Sequence, residues 1–261
     1  MNEIFILLLI LAGLALMLVS LLRKRRPAQQ KVYEIPDSWK ETLLQKVPFY
    51  VKLKDADKKL FEQRIAHFLD TTRITPADTE IDDTDRLLIA SGAIIPVFKF
   101  PAWEYHTLDE VIVYPNLFDQ NFNTEGHGLS VSGMVGSGVM EGKMILSKKS
   151  LHLGFDNKTD KKNVAVHEFI HLIDKADGAI DGIPNALVDR EFALPWIELM
   201  RQKIREIHKD DSDINRYGGT SFEEFFPVVS EYFFERPKLL KRKHPELYKQ
   251  LEEIFIPQPQ H

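Results

Sequence analysis

The stretch Val164-Ala165-Val166-His167-Glu168-Phe169-Ile170-His171-Leu172-Ile173 decides how this 261-residue chain is read. On a helix, positions i and i+4 stand one above the other. His167 and His171 therefore share a face and can grip one metal ion, with Glu168 beside it. Neutral imidazole suits zinc and leaves the ion enough charge to bring a bound water to a pKa of roughly 7. Glu168 adjoins the first ligand, so it is poorly placed to bind the same ion and well placed to take the water's proton and pass it to a leaving amine. Chance places this pattern in only a few per cent of chains of this length, by order of magnitude. The apolar setting sharpens it, because buried imidazoles are costly unless paired or metal-bound. Thr159 and Asp160, ahead of Lys161, are the expected N-cap residues of the helix.

A catalytic zinc site takes three protein ligands and a water, so a third donor is expected downstream. Asp174 and Asp177 stand where the long metzincin motif requires glycine and histidine; that motif is absent, although Asp177 remains an available donor. Glu191, twenty residues after His171, lies near thermolysin-like spacing. Glu231 falls within Phe225-Phe226-Pro227-Val228-Val229-Ser230-Glu231-Tyr232-Phe233-Phe234, an apolar helix in which a lone carboxylate is expensive without a cation.

These segments together carry a resemblance. The run Glu224-Phe225-Phe226-Pro227-Val228-Val229-Ser230-Glu231-Tyr232-Phe233-Phe234-Glu235-Arg236-Pro237, with His167-Glu168-Phe169-Ile170-His171-Leu172-Ile173-Asp174, resembles the Mlc titration factor A family of zinc peptidases. Further matches fall in residues 47–74 and 86–93, in Trp103-Glu104-Tyr105, Ile112-Val113-Tyr114-Pro115 and Asp181-Gly182-Ile183-Pro184, so the likeness spans about residues 36–256. It implies zinc held by His167, His171 and Glu231, and a peptidase of aminopeptidase type acting on a peptide or protein. The family's namesake also binds and inactivates a transcriptional repressor, which implies a transcriptional regulator as a partner. Pro227 departs from the family pattern, and a proline there is expected to kink or restart the helix one turn before Glu231. Tyr217 resembles a family tyrosine and is a candidate donor to the tetrahedral oxyanion, or else a packing residue. Asp174, one turn past His171, is expected to orient a ligand or a backbone group. Glu224, seven residues before Glu231 on the same helical face, reaches the site or faces solvent.

At the N-terminus, residues 4–22 form an uncharged apolar run of nineteen residues followed by Arg23-Lys24-Arg25-Arg26. That length spans a hydrocarbon core, and the charge order suits an uncleaved anchor with the cations cytoplasmic. The expectation is a single-pass cell-membrane protein with a cytoplasmic catalytic domain. It divides into an anchor with basic flank (1–26), a linker (27–35), a zinc peptidase domain (36–256) and a disordered tail (257–261). The net charge of −5 gives no reason to expect nucleic acid, and the absence of cysteine excludes disulfides and cysteine-ligated metal.

Helices are expected over residues 56–70, 84–93, 185–208, 221–235 and 237–255, and strands over 96–100, 110–114 and 143–147. The glycines between 126 and 142 read as tight turns bordering the cleft, without the lysine of a phosphate loop. The fold class that follows is α+β: a zincin-like metallopeptidase core with a small sheet backing the His-Glu-x-x-His helix, helical N- and C-terminal parts, and one N-terminal transmembrane helix.

Overall fold

The structure is a computed structural model and describes residues 33–257. Its elements run α1 (Asp37–Lys46), α2 (Pro48–Val51), α3 (Asp55–Thr71), β1 (Arg73–Pro76), α4 (Asp83–Val97), β2 (Glu110–Tyr114), β3 (Gly133–Val135), β4 (Lys143–Ser147) and α5 (Lys148–Asp156). There follow α6 (Val164–Asp174), α7 (Arg190–His208), α8 (Phe222–Glu235), α9 (Pro237–Lys243) and α10 (Pro245–Phe255). The four strands are ordered β1-β2-β4-β3, with β1, β2 and β4 parallel and β3 antiparallel to β4 at the edge. The α+β class is as expected, with helices outweighing a small sheet.

The transmembrane helix is corrected. Residues 4–22, on which it rested, lie outside the described residues together with the basic flank, most of the linker and the last four residues of the tail. Among the described residues no helix is long and apolar enough to cross a membrane. The longest, α7, has nineteen residues but is strongly amphipathic, with Glu191, Glu198, Arg201, Lys203, Arg205 and Glu206 along it. Charges at that density are costly in hydrocarbon. A single-pass membrane location therefore has no support in the fold.

Two apolar cores meet on α6. At 100° per residue, Ala165, Phe169 and Leu172 form one stripe and Val166, Ile170 and Ile173 another. The first packs with α3, α4 and the sheet through Phe68, Leu87 and Val111; the second packs with α7, α8 and α10 through Trp196, Phe226 and Leu251. The third stripe, His167, Glu168 and His171, is the only one left for the cleft. Both flanking stripes are almost completely buried, so the helix is held in rotation as well as position.

Close approach of α4 to α6 depends on Gly92: a Cβ there would stand 2.4 Å from Cβ of Ala165. At the start of α6 the cap is Asn163, whose side chain accepts from the Val166 N–H at 3.1 Å. The expected caps, Thr159 and Asp160, belong instead to the preceding loop, where Lys161 takes a left-handed φ of 63° that no helix tolerates. Residues 96–100, expected as a strand, begin inside α4, which runs through the buried Pro96 to Val97. Pro227, likewise, is buried within an uninterrupted α8.

Candidate metal centre

α8 crosses α6 and carries two carboxylates on the face turned toward His167. Its N-cap is Ser221, whose hydroxyl accepts from the Glu224 N–H at 3.2 Å, fixing Glu224 in the first turn. The positive end of the helix dipole favours an anion there. Glu231 follows two turns later, about 10 Å along the axis. The imidazole of His167 lies between the two. Its Nε2 is 3.1 Å from Glu224 Oε2, and its Nδ1 is 2.8 Å from Glu231 Oε1.

His171 Nε2 also faces Glu224 Oε2, at 3.6 Å. The two histidines and Glu224 each bring one donor atom within 4.8 Å of the others, a grouping able to hold a metal ion. A tetrahedral zinc with bonds near 2.05 Å needs ligand atoms about 3.3 Å apart, and the separations of 3.1 and 3.6 Å bracket that value. The donor set is two imidazoles and one carboxylate, which suits zinc with an open position. With neutral imidazoles, Glu168 and Glu224 would share one poorly solvated cleft without a counter-charge. A divalent cation removes that penalty, so the residues fit the group.

Ionisation reflects the same crowding. Burial opposes charge on His167, but the adjoining Glu231 and Glu224 outweigh it and raise its pKa well above the usual imidazole range. Burial also acts to raise Glu224, yet hydrogen bonds to His167 and His171 hold its carboxyl far below the ordinary carboxylate range. Glu168, 5% exposed, is raised mainly by desolvation, against the opposing charges of His171 and His167. A raised carboxylate is a stronger base. Strand β3 passes directly over it: a Cβ on Gly133 would lie 2.6 Å from Glu168 Oε1.

Tyr217 sits in a 3-10 turn, Arg216–Gly219, whose cap Asn215 accepts from the Tyr217 N–H at 3.1 Å. Its ring centroid is 6.0 Å from that of His167, and at 51% exposure it borders the cleft. Desolvation, then the charge of Glu224, raises its phenol. Asp174 is fully buried and accepts from the Gly182 N–H at 2.8 Å, the backbone role expected of it. Burial brings its carboxyl up to about 7.

The structure brings His167, Glu168, His171 and Tyr217 into one cleft. It brings Glu224, rather than Glu231, to the Nε2 side of the histidines. Glu231 occupies the opposite edge of His167, with its Oε1 against Nδ1. Glu191 and Asp177 are exposed and stand outside the converging group. Gly133 and Asn163 also serve the site and escaped sequence reasoning. The pattern Ser221-x-x-Glu224 was the available signal for Glu224, since it marks a helix start whose first turn is held to one geometry.

A histidine pair on a buried helix, a carboxylate from a crossing helix and an edge strand over Glu168 are an arrangement compatible with a metallopeptidase. Residues 20–256 match the model of the glucose-regulated metallo-peptidase M90 family, and the chain belongs to that family. It is 28% identical over 236 residues to an uncharacterized protein of Synechocystis, covering 86% of each chain. Two proteins named Mlc titration factor A are also similar. That of Pectobacterium atrosepticum is 24% identical, covering 82% of this chain and 84% of its own, and that of Yersinia enterocolitica is 25% identical, covering 85% and 86%.

Proposed function

We propose that this protein is a zinc-dependent peptidase in which His167, His171 and Glu224 hold the metal and Glu168 moves protons. The convergence of His167 Nε2, His171 Nε2 and Glu224 Oε2 carries the proposal. Glu224 is preferred to Glu231 as third ligand because the 2.8 Å contact of Glu231 to Nδ1 leaves no space for an ion between them. When bound, zinc supplies a Lewis acid for the scissile carbonyl and lowers the pKa of a coordinated water.

Glu168 accepts the proton of the attacking water and returns it to the leaving amine. Its buried setting keeps that proton from bulk solvent. Tyr217, beside His167 and with its phenol near Glu224, would turn that phenol to the oxyanion of the tetrahedral intermediate. The outer edge of β3 presents backbone groups to an extended peptide, which would lie antiparallel across Glu168. Specificity of aminopeptidase type is the finer part of the proposal and rests on the family resemblance; free and N-acetylated versions of one peptide would separate it from internal cleavage. The names of the relatives support a second reading, in which the chain also binds a transcriptional regulator.

Glu168→Gln tests the catalytic reading. Peptide turnover is expected to fall about 10²- to 10⁴-fold with zinc retained. Turnover at the wild-type rate refutes the assignment, and a regulator-binding role would survive the substitution.

A further inference from the structure

Glu231 is 5% exposed on a largely apolar helix, and both its oxygens are engaged. Oε1 accepts from His167 Nδ1 at 2.8 Å. Oε2 accepts from the backbone N–H of Asn163. Asn163 is the N-cap of α6, and its own amide donates to the Gly154 carbonyl at 3.1 Å while its carbonyl oxygen accepts from Val166. One carboxylate therefore holds both an imidazole ring and the first turn of the helix that carries it.

We propose that Glu231 is a positioning residue for the metal site: it fixes the tautomer and the ring orientation of His167, and it ties that ring to the start of α6. This rests on the metal reading above. With Oε1 as the acceptor the ring keeps its proton on Nδ1, so an ion arriving at Nε2 has only the proton facing Glu224 to displace. A charged acceptor behind the ring also makes Nε2 a better donor to metal. Among the described residues His171 has no such clamp, its Nδ1 being buried without a hydrogen-bond partner. The two histidines are thus unequal, and the site's pre-organisation falls on His167.

The test uses the full chain, stripped of metal, and reads its affinity for Zn²⁺ alone by competition with a chromophoric chelator. Co²⁺ absorption of the reloaded protein is the second readout. Glu224→Ala, which removes a direct ligand, is expected to weaken zinc binding by more than about 1,000-fold. Glu231→Ala is expected to weaken it about 10- to 100-fold, the usual effect of removing a hydrogen-bond partner of a ligand. Its Co²⁺ bands should shift as the His167 ring turns. Glu231→Gln, whose amide oxygen still accepts from Nδ1–H but whose amide NH₂ opposes the Asn163 N–H, should fall about 3- to 10-fold and serves should the alanine variant fail to fold.

Affinity within twofold of wild type in the glutamine variant, with unchanged Co²⁺ bands, overturns the proposal. So does an alanine variant as weak as Glu224→Ala, which would make Glu231 a direct ligand. Zinc retained at wild-type affinity in Glu224→Ala would instead defeat the ligand assignment itself, and the effect of Glu231 would be read separately.

Discussion

Replacing Gly133 by alanine should separate catalysis from metal binding. The added Cβ would lie 2.6 Å from Glu168 Oε1, 2.7 Å from its Cγ and 2.8 Å from Cγ2 of Val164. Ordinary contact is near 3.5 Å, so the pair must separate by about 0.8 Å. Val164 is held in the core and cannot yield, and β3 is paired on one side only; either the strand lifts or Glu168 swings away. A misplacement near 1 Å costs roughly 100-fold in rate. The expected loss in kcat/KM is about 30- to 100-fold, or about 2–3 kcal/mol of transition-state stabilisation. The proposed zinc ligands His167, His171 and Glu224 are not among the side chains the added Cβ would meet, so zinc content should stay at the wild-type level. The assay is turnover of an internally quenched peptide, with metal analysis and circular dichroism on the same sample. Turnover within threefold of wild type, in a folded protein with full zinc, would refute the placement of Glu168 beneath β3.

Two predictions concern stability. Gly92→Ala drives a methyl into Ala165 at 2.4 Å, where both partners belong to packed helices; overpacking of this kind costs about 1–3 kcal/mol, expected as a Tm lower by about 3–10 °C, and an unchanged Tm would contradict the close helix crossing. Glu235 has both carboxylate oxygens buried near the backbone N–H groups of Lys161 and Lys162, at a cavity of about 260 Å³ lined by Phe49, Ile95, Phe155 and Phe234 among others. Burial, then the charge of Glu231, pushes its pKa up to about 9. The native state keeps this proton while the unfolded chain releases it near the ordinary carboxylate value, so stability falls as pH rises from about 4.5 to about 9. Glu235→Gln removes that slope: its Tm advantage over wild type should be small at pH 5 and reach about 4–8 °C by pH 8, about 2 kcal/mol after allowance for the open side of the cavity. A difference independent of pH would contradict the buried neutral acid.

How much could be seen in the chain before its fold depends on whether the signal is local. The His-Glu-x-x-His helix and α8 were legible because their apolar periodicity is strong and because Ser221 announces the start of α8. β2 and β4 were legible from Val111-Ile112-Val113 and Met144-Ile145-Leu146. β3 was not, since Gly133-Met134-Val135 has little strand character alone and is made a strand by pairing with β4, about ten residues further on. Pro96 misled because proline argues against a helix interior, whereas here the packing of α4 against α1, α3, α5 and α6 overrides it. Glu224 and Glu231, two turns apart on one face, cannot be ranked by spacing. Only the crossing of α8 over α6 decides which one meets Nε2 and which meets Nδ1.

The position of a bound metal is the most direct test of the site. An anomalous-difference map collected at the zinc edge, from crystals of the zinc-loaded protein, should show one peak at about 2.0–2.2 Å from His167 Nε2, His171 Nε2 and a Glu224 oxygen, with Glu231 still on Nδ1. A peak coordinated by Glu231 in place of Glu224, or none between the two histidines, would contradict it.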